Sequence, residues 1–306
     1  MHDSTILHRF VLASALLAGC ATTYANTLSE DATTRIEQAT GMKGKLNKEE
    51  SVFKVSRPRT DIKVTVDKLP MAPFMGLTSW ASFTAEYEPK MAMVMGDMVV
   101  FEDEVNPAMS AAFDAGLEVT ALHNHFFFDQ PKVYFMHIGG MGSLDNLAKG
   151  VKQVQDKIAE VRKAQPTPVS QFPGAIAQES KITSAPLEGI LGTKGETESG
   201  MFKVTIGREA KMHDVKVGKD MGVNTWVAFA GTDEQAVVAG DFAAQEKELQ
   251  PVLKALRSGG INIVAIHQHM TQEQPRYIFL HYWGKGRAQE LAKVVKKALD
   301  DQAAVR

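Results

Sequence analysis

The sequence predicts an α+β protein made by tandem duplication. Each copy is expected to run strand, strand, helix, strand, strand, helix, with a mostly antiparallel sheet and its helices on one face. Three observations predict this. The chain matches itself at an offset of 144 residues, pairing Gly96-Asp97 with Gly240-Asp241, Pro107 with Pro251, Gly116 with Gly260, His123 with His267 and Leu147 with Leu291. Runs rich in β-branched and aromatic residues alternate with apolar stripes at helical spacing. The strands come in pairs joined by short turns, which is not the strict β-α-β alternation of a parallel doubly wound sheet.

The elements follow in order. In the first copy "SWASFTAEYE" and "MAMVMGDMVV" read as strands, and a helix follows around Val105, Met109 and Phe113. "LEVTALHNH" and "KVYFMHIGG" are the second strand pair, and Leu144, Leu147, Val151, Val154 and Ile158 mark the closing helix. In the second copy "NTWVAFAG" and "QAVVAGDF" flank the turn-forming "GTDE" and should form a hairpin. The stripe Leu249, Val252, Leu253, Leu256 is a helix, with Pro251 expected in its first turn and Gly259-Gly260 at its stop. "INIVAIHQH" and "PRYIFLHYW" follow as strands, and Leu291, Val294, Val295, Ala298 and Leu299 form the last helical stripe. Each copy is far longer than a solenoid unit of about 20 to 50 residues, so two domains are expected rather than a stacked array.

Length and composition bound the rest. The 306 residues are 44% hydrophobic and 23% charged, enough for two ordinary cores or one large one. A net charge of −2 with no long run of Lys and Arg argues against nucleic acid as a partner. The start "MHDSTILHRFVLASALLAGC" has a short polar head and an apolar run too short to span a bilayer, as an export signal has. The predicted organisation is a signal over residues 1–19, lipid attachment at Cys20, a first repeat over 32–160, a linker over 161–186 rich in Pro, and a second repeat over 187–303. Cys20 is the only cysteine, so no disulfide, zinc-thiolate site or thiol nucleophile can be built. The alternative is an ordinary signal cut near Ala25; both readings export the chain, to the periplasm or outer membrane.

The strongest chemical signal is a phrase written twice, "HNHFFFDQPKVYFMHIGG" from His123 and "HQHMTQEQPRYIFLHYWG" from His267. Residues two apart on a strand share a face, so His123 and His125 project together, as do His267 and His269. A hairpin centred on Pro131 or Pro275 would set His125 opposite His137 and His269 opposite His281. Three imidazoles with an open fourth position suit a divalent transition metal, zinc first and copper second. Asp129 or Glu273, in the loops, could complete the shell or act as a catalytic base, with Gln130 and Gln274 as outer hydrogen-bonding groups. The plain alternative is that His-x-His is the polar face of a half-buried sheet. Against it, the residues between the histidines differ between the copies at most positions while all six histidines recur.

Other signals are read as structural. Met91, Met93 and Met95 form one strand face, a soft surface for Cu(I) in principle, but are expected to fill the core. Asp97 and Asp241, and the pairs Glu102/Glu104 and Glu246/Glu248, are assigned to structure, the glutamates at helix starts. Tyr282 and Trp283 are an aromatic wall or core. "LHNH" is set aside as a nuclease motif because the flanking strands, export signal and neutral charge disagree with it.

From "GDMVVFEDEVNPAMSAAFDAGLEVTALHNH" through "QPKVYFMHIGG", and again to "QPRYIFLHYWG", the chain resembles the LppY/LpqO family of exported bacterial lipoproteins, over both copies. That family is a domain of unknown function, so the resemblance implies an envelope location and no reaction. Its pattern often has an acid just before the proline, where this chain has Gln130 and Gln274. The function expected is metal binding with a binding, delivery or sensing role, the partner being a metal ion or small molecule. The alternatives are a three-histidine metal hydrolase and a scaffold without metal.

Overall fold

The computed structural model describes residues 28–86 and 91–305. The export signal, Cys20 and Ala25 lie outside the described residues. The first repeat comprises α1 (Glu30–Thr40), β1 (Gly44–Asn47), β2 (Val52–Pro58), β3 (Thr65–Val66), β4 (Leu69–Pro70), β5 (Thr78–Thr84), β6 (Ala92–Phe101), α2 (Glu102–Asp114), β7 (Glu118–His123), β8 (Asp129–Gln130), β9 (Val133–Gly142) and α3 (Leu144–Ala164). The second comprises α4 (Ser184–Leu191), β10 (Glu196–Glu198), β11 (Met201–Gly207), β12 (Ala210–Met212), β13 (Val215–Val217), β14 (Asn224–Gly231), β15 (Ala236–Gln245), α5 (Glu246–Ser258), β16 (Asn262–His267), β17 (Tyr277–Gly286) and α6 (Ala288–Ala304). The fold is α+β and duplicated, as the sequence predicts.

Both repeats share one twelve-stranded sheet, ordered β1-β2-β5-β6-β9-β7-β16-β17-β15-β14-β11-β10. Read from either end the order is the same under the duplication. The centre is the antiparallel contact of β7 with β16, where Leu122 pairs with Ile266, its own counterpart in the other copy. Equivalent edge strands therefore cap each other through a local two-fold axis, which removes two exposed edges.

The helices lie on one face because the strands alternate. On β17, Leu280 and Tyr282 are buried in the main core with α5 and α6 residues such as Leu253 and Val295, while His281 and Trp283 point to the helix-free face. Tyr282 thus belongs to the core and Trp283 shares the face of His281. Gly240 is required beside it, because a Cβ there would stand 2.0 Å from the Tyr282 hydroxyl oxygen. Helices α2 and α5 begin with a capping box in which Glu104 and Glu248 accept from the Phe101 and Gln245 N–H groups, so these acids are structural. Pro251 sits one turn deeper than expected, since its helix starts five residues before it, and Pro107 sits likewise in α2.

Two parts of each repeat are additional to the expected order. An N-terminal helix and strand pair (α1, β1, β2; α4, β10, β11) extends the sheet. A small arm, β3–β4 in one copy and β12–β13 in the other, folds over the helix-free face. The first arm pairs with β8, and Lys211 of the second exchanges hydrogen bonds with Gln274. Beneath the arms lie two small cores, Val64, Leu77, Val99, Phe101, Val133, Phe135 and Ala210, Val217, Val223, Ala243, Tyr277, Phe279.

Candidate metal centre

His123 and His267 reach the helix-free face by a shift of register. In β16 the pairing to β17 passes from Ile263↔Tyr282 to Ala265↔His281, leaving Val264 as an extra residue. Without that bulge His267 would fall opposite Ile278 and face the helices. With it, His267 pairs with Phe279 and joins the face of His281. The same shift between Val119 and Ala121 phases His123. Each bulge is held from the other repeat. The Asn106 side chain accepts from the Ile263 N–H at 2.8 Å and donates to its carbonyl at 3.2 Å, and Gln250 does the same at Val119, at 3.1 and 2.8 Å.

The register differs from the hairpin expected about Pro131 and Pro275. His123 pairs with Phe135 and His267 with Phe279, so His125 and His269 lie beyond the strand ends and do not face His137 and His281. In place of a tight hairpin, the intervening loop pairs with the arm, through β8 in the first repeat and Gln274 in the second. His125 instead stacks on Phe135 with ring centroids 3.3 Å apart, and His269 on Phe279 at 3.5 Å. The three rings of each copy still converge: His123 is 5.2 Å from His125 and 5.1 Å from His137 between centroids, and His267 is 5.2 and 4.9 Å from His269 and His281.

The acids beside these rings are Asp241, which contacts His269, and Asp97, its counterpart in the first repeat; the sequence reading assigns both to structure. They sit on β6 and β15 directly opposite His137 and His281. The signal was present in the recurring Gly-Asp, but only the pairing of β6 with β9 and of β15 with β17 makes it a neighbour of the histidines. Burial pushes both carboxyls above the ordinary range, against the opposing pull of the three nearby histidines. The loop acids lie elsewhere. Asp129 is buried, accepting from the Val133 N–H at 2.7 Å and pairing with Lys132, and Glu273 accepts from the Tyr277 N–H at 3.0 Å. Both hold the loop between the strands.

In the second repeat, Asp241, His267 and His269 offer ligand atoms all within 4.8 Å of one another. The hydrogen bonding sets their chemistry. The Nδ1 atoms of His267, His269 and His281 face the carbonyls of Gln268, Gly222 and Gly240 at 3.4, 3.3 and 3.2 Å. A carbonyl only accepts, so in the neutral ring each Nδ1 carries the proton and each Nε2 a lone pair. His269 Nε2 then stands 3.1 Å from Asp241 Oδ2, while His267 Nε2 and Asp241 Oδ1 are buried without a hydrogen-bond partner. Such converging electron-pair donors fit a cation. In the first repeat His123 Nε2 and His137 Nε2 are 3.1 Å apart, and Asp97 Oδ1 is buried without a partner. Burial also lowers the pKa of His125 and of His267, which favours the neutral, ligating imidazole.

A family model described as "Domain of Unknown Function (DUF1259)" matches residues 34–157 and again 185–301, so the chain belongs to that family in both halves. No curated protein matches the chain. Among solved structures, a double-ringed trimeric shell protein from the RMM microcompartment is similar at 10% identity and a TM-score of 0.21, over 72% of this chain and 86% of that one. The trimeric bacterial microcompartment shell protein PduB is similar at 11% identity and a TM-score of 0.21, over 84% and 89%. Likeness at that level carries no argument about fold or function.

Proposed function

We propose that this DUF1259-family chain is an exported, lipid-anchored protein of the LppY/LpqO kind that holds a divalent transition ion in each repeat, zinc first and copper second, for binding, delivery or sensing in the cell envelope. The ligands are His267, His269 and His281 with Asp241 in one centre and His123, His125 and His137 with Asp97 in the other. The observation that carries this reading is the convergence of imidazole and carboxylate donor atoms at the spacing a shared ion requires. Tetrahedral bonds of about 2.0 to 2.1 Å put two ligand atoms about 3.3 Å apart. The Asp241–His269 and His123–His137 separations, both 3.1 Å, are close to that value.

The chain's own groups do the rest. The carbonyls of Gln268, Gly222 and Gly240 fix the tautomer and aim each Nε2, Phe135 and Phe279 hold one ring by stacking, and the arm shields the loop. A bound ion supplies charge to offset the buried carboxylate. The hydrolase reading used Asp129 or Glu273 as base; the backbone hydrogen bonds of those carboxylates favour a binding role instead. Elemental analysis of the chain made without a histidine tag and reconstituted with zinc or copper tests the proposal. Two ions per chain are expected, released on acidification as protons compete for the imidazoles. No bound ion after reconstitution would refute it and leave the scaffold reading.

A further inference from the structure

The helix-free face of the first repeat carries a group of side chains for which the duplicated fold has no need. Beyond the pair Asp97↔His137, the next pairs of β6 and β9 are Met95↔Gly139 and Met93↔Met141. Their odd numbers put all three methionines on the face of Asp97 and His137. Met93 and Met95 do not fill the core, contrary to the expectation from sequence, and Met91 is half-buried; Met93, Met95 and Met141 are 38%, 60% and 60% exposed, whereas Val94 and Met98 on the other face are buried. The second repeat has Val237, Ala239 and Lys285 at these positions, so the strand pair forms equally well without thioethers.

We propose that Met93, Met95 and Met141 form a thioether site for a soft monovalent cation, Cu(I), distinct from the histidine centres. Met93 and Met141 are direct cross-strand partners, which sets their Cβ atoms about 5 Å apart, and Met95 is the diagonal neighbour of Met141 at about 7 to 8 Å, within reach of long side chains. Gly139, opposite Met95, adds no side chain between them. Each methionine has three rotatable bonds and a polarizable sulfur, so three sulfurs can meet over one ion above the sheet. The chemistry selects the ion. Three neutral thioethers offer no charge to balance a divalent cation and no hard oxygen donor, whereas soft sulfur ligands favour Cu(I). The exposure of the group lets an ion arrive and leave.

The test uses the full chain carrying Cys20→Ser, so that its one thiol does not compete, with its methionine methyl groups labelled with carbon-13. Silver(I), the redox-inert analogue, is titrated in the presence of excess zinc, which takes imidazole donors and does not compete for thioethers. Three methyl resonances are expected to move together and saturate at one equivalent, each missing in turn from the spectra of Met93→Leu, Met95→Leu and Met141→Leu. The remaining methionine resonances report that each variant is folded. Absence of movement at stoichiometric silver, or movement of other methionines only, overturns the site. Zinc content is measured on the triple variant as well. Retained zinc is expected, and its loss would overturn the claim that the thioether site is distinct, whether or not the histidine proposal stands.

Discussion

Asn106 lies in the first repeat but holds the bulge that phases His267 in the second, so its loss should injure the distant copy's centre. Asn106→Ala removes both hydrogen bonds at Ile263 and leaves a backbone N–H and C=O beside it without partners. Asn106 is 3% exposed, and each unsatisfied buried group costs about 1 to 3 kcal/mol. The cavity lined by Asn106, Ile263 and Arg257, about 390 Å³, adjoins the site and can admit water to both groups. The expected loss is therefore toward the lower end, about 2 to 4 kcal/mol in all. Gln250→Ala breaks the mirrored pair in a partly buried position and should cost less, about 1 to 2 kcal/mol. Urea denaturation measures both costs. Zinc titration of each variant, paired with His→Ala changes that silence one centre at a time, then reads which copy has weakened. Asn106→Ala is expected to weaken the His267 centre and spare the His123 centre, and Gln250→Ala the reverse. Equal effects on both centres, or none on either, would refute the reasoning that the bulges set ligand phase across the repeat junction.

Three further outcomes are expected. Asp241→Asn keeps the shape of the carboxylate but removes its charge, so zinc affinity of the second centre should fall by about 10- to 100-fold or more, read by competition with a chelator. Glu273→Gln should retain two ions per chain and lose only about 0.5 to 1.5 kcal/mol of stability, because its carboxylate serves the Tyr277 N–H; loss of metal in that variant would return Glu273 to the centre. Cys20→Ser should release the chain from membranes after a salt wash, and continued membrane fractionation would exclude the lipid as the anchor; among the described residues no helix is long and apolar enough to span a bilayer.

The sequence by itself determined the duplication, the α+β class and the order of the strand pairs and helices around the histidines, because these are written in self-similarity and in periods of two and 3.6 residues. It also singled out His123, His125, His137, His267, His269 and His281, since recurrence in two diverging copies needs no coordinates to be seen. Tertiary structure alone decided which acids accompany them. Asp97 and Asp241 lie 26 residues before His123 and His267, and only the pairing of β6 with β9 and β15 with β17 brings them opposite His137 and His281. Asp129 and Glu273 are nearer in sequence, yet the loop's own backbone takes their carboxylates. The bulges at Val119 and Ile263 were equally invisible, because a single extra residue reverses the face of every side chain after it, and the residues that hold it belong to the other repeat. The expected burial of Met93 and Met95 fails for a similar reason. An apolar strand face shows that it can be covered, but whether a helix or an arm covers it depends on where the rest of the chain packs.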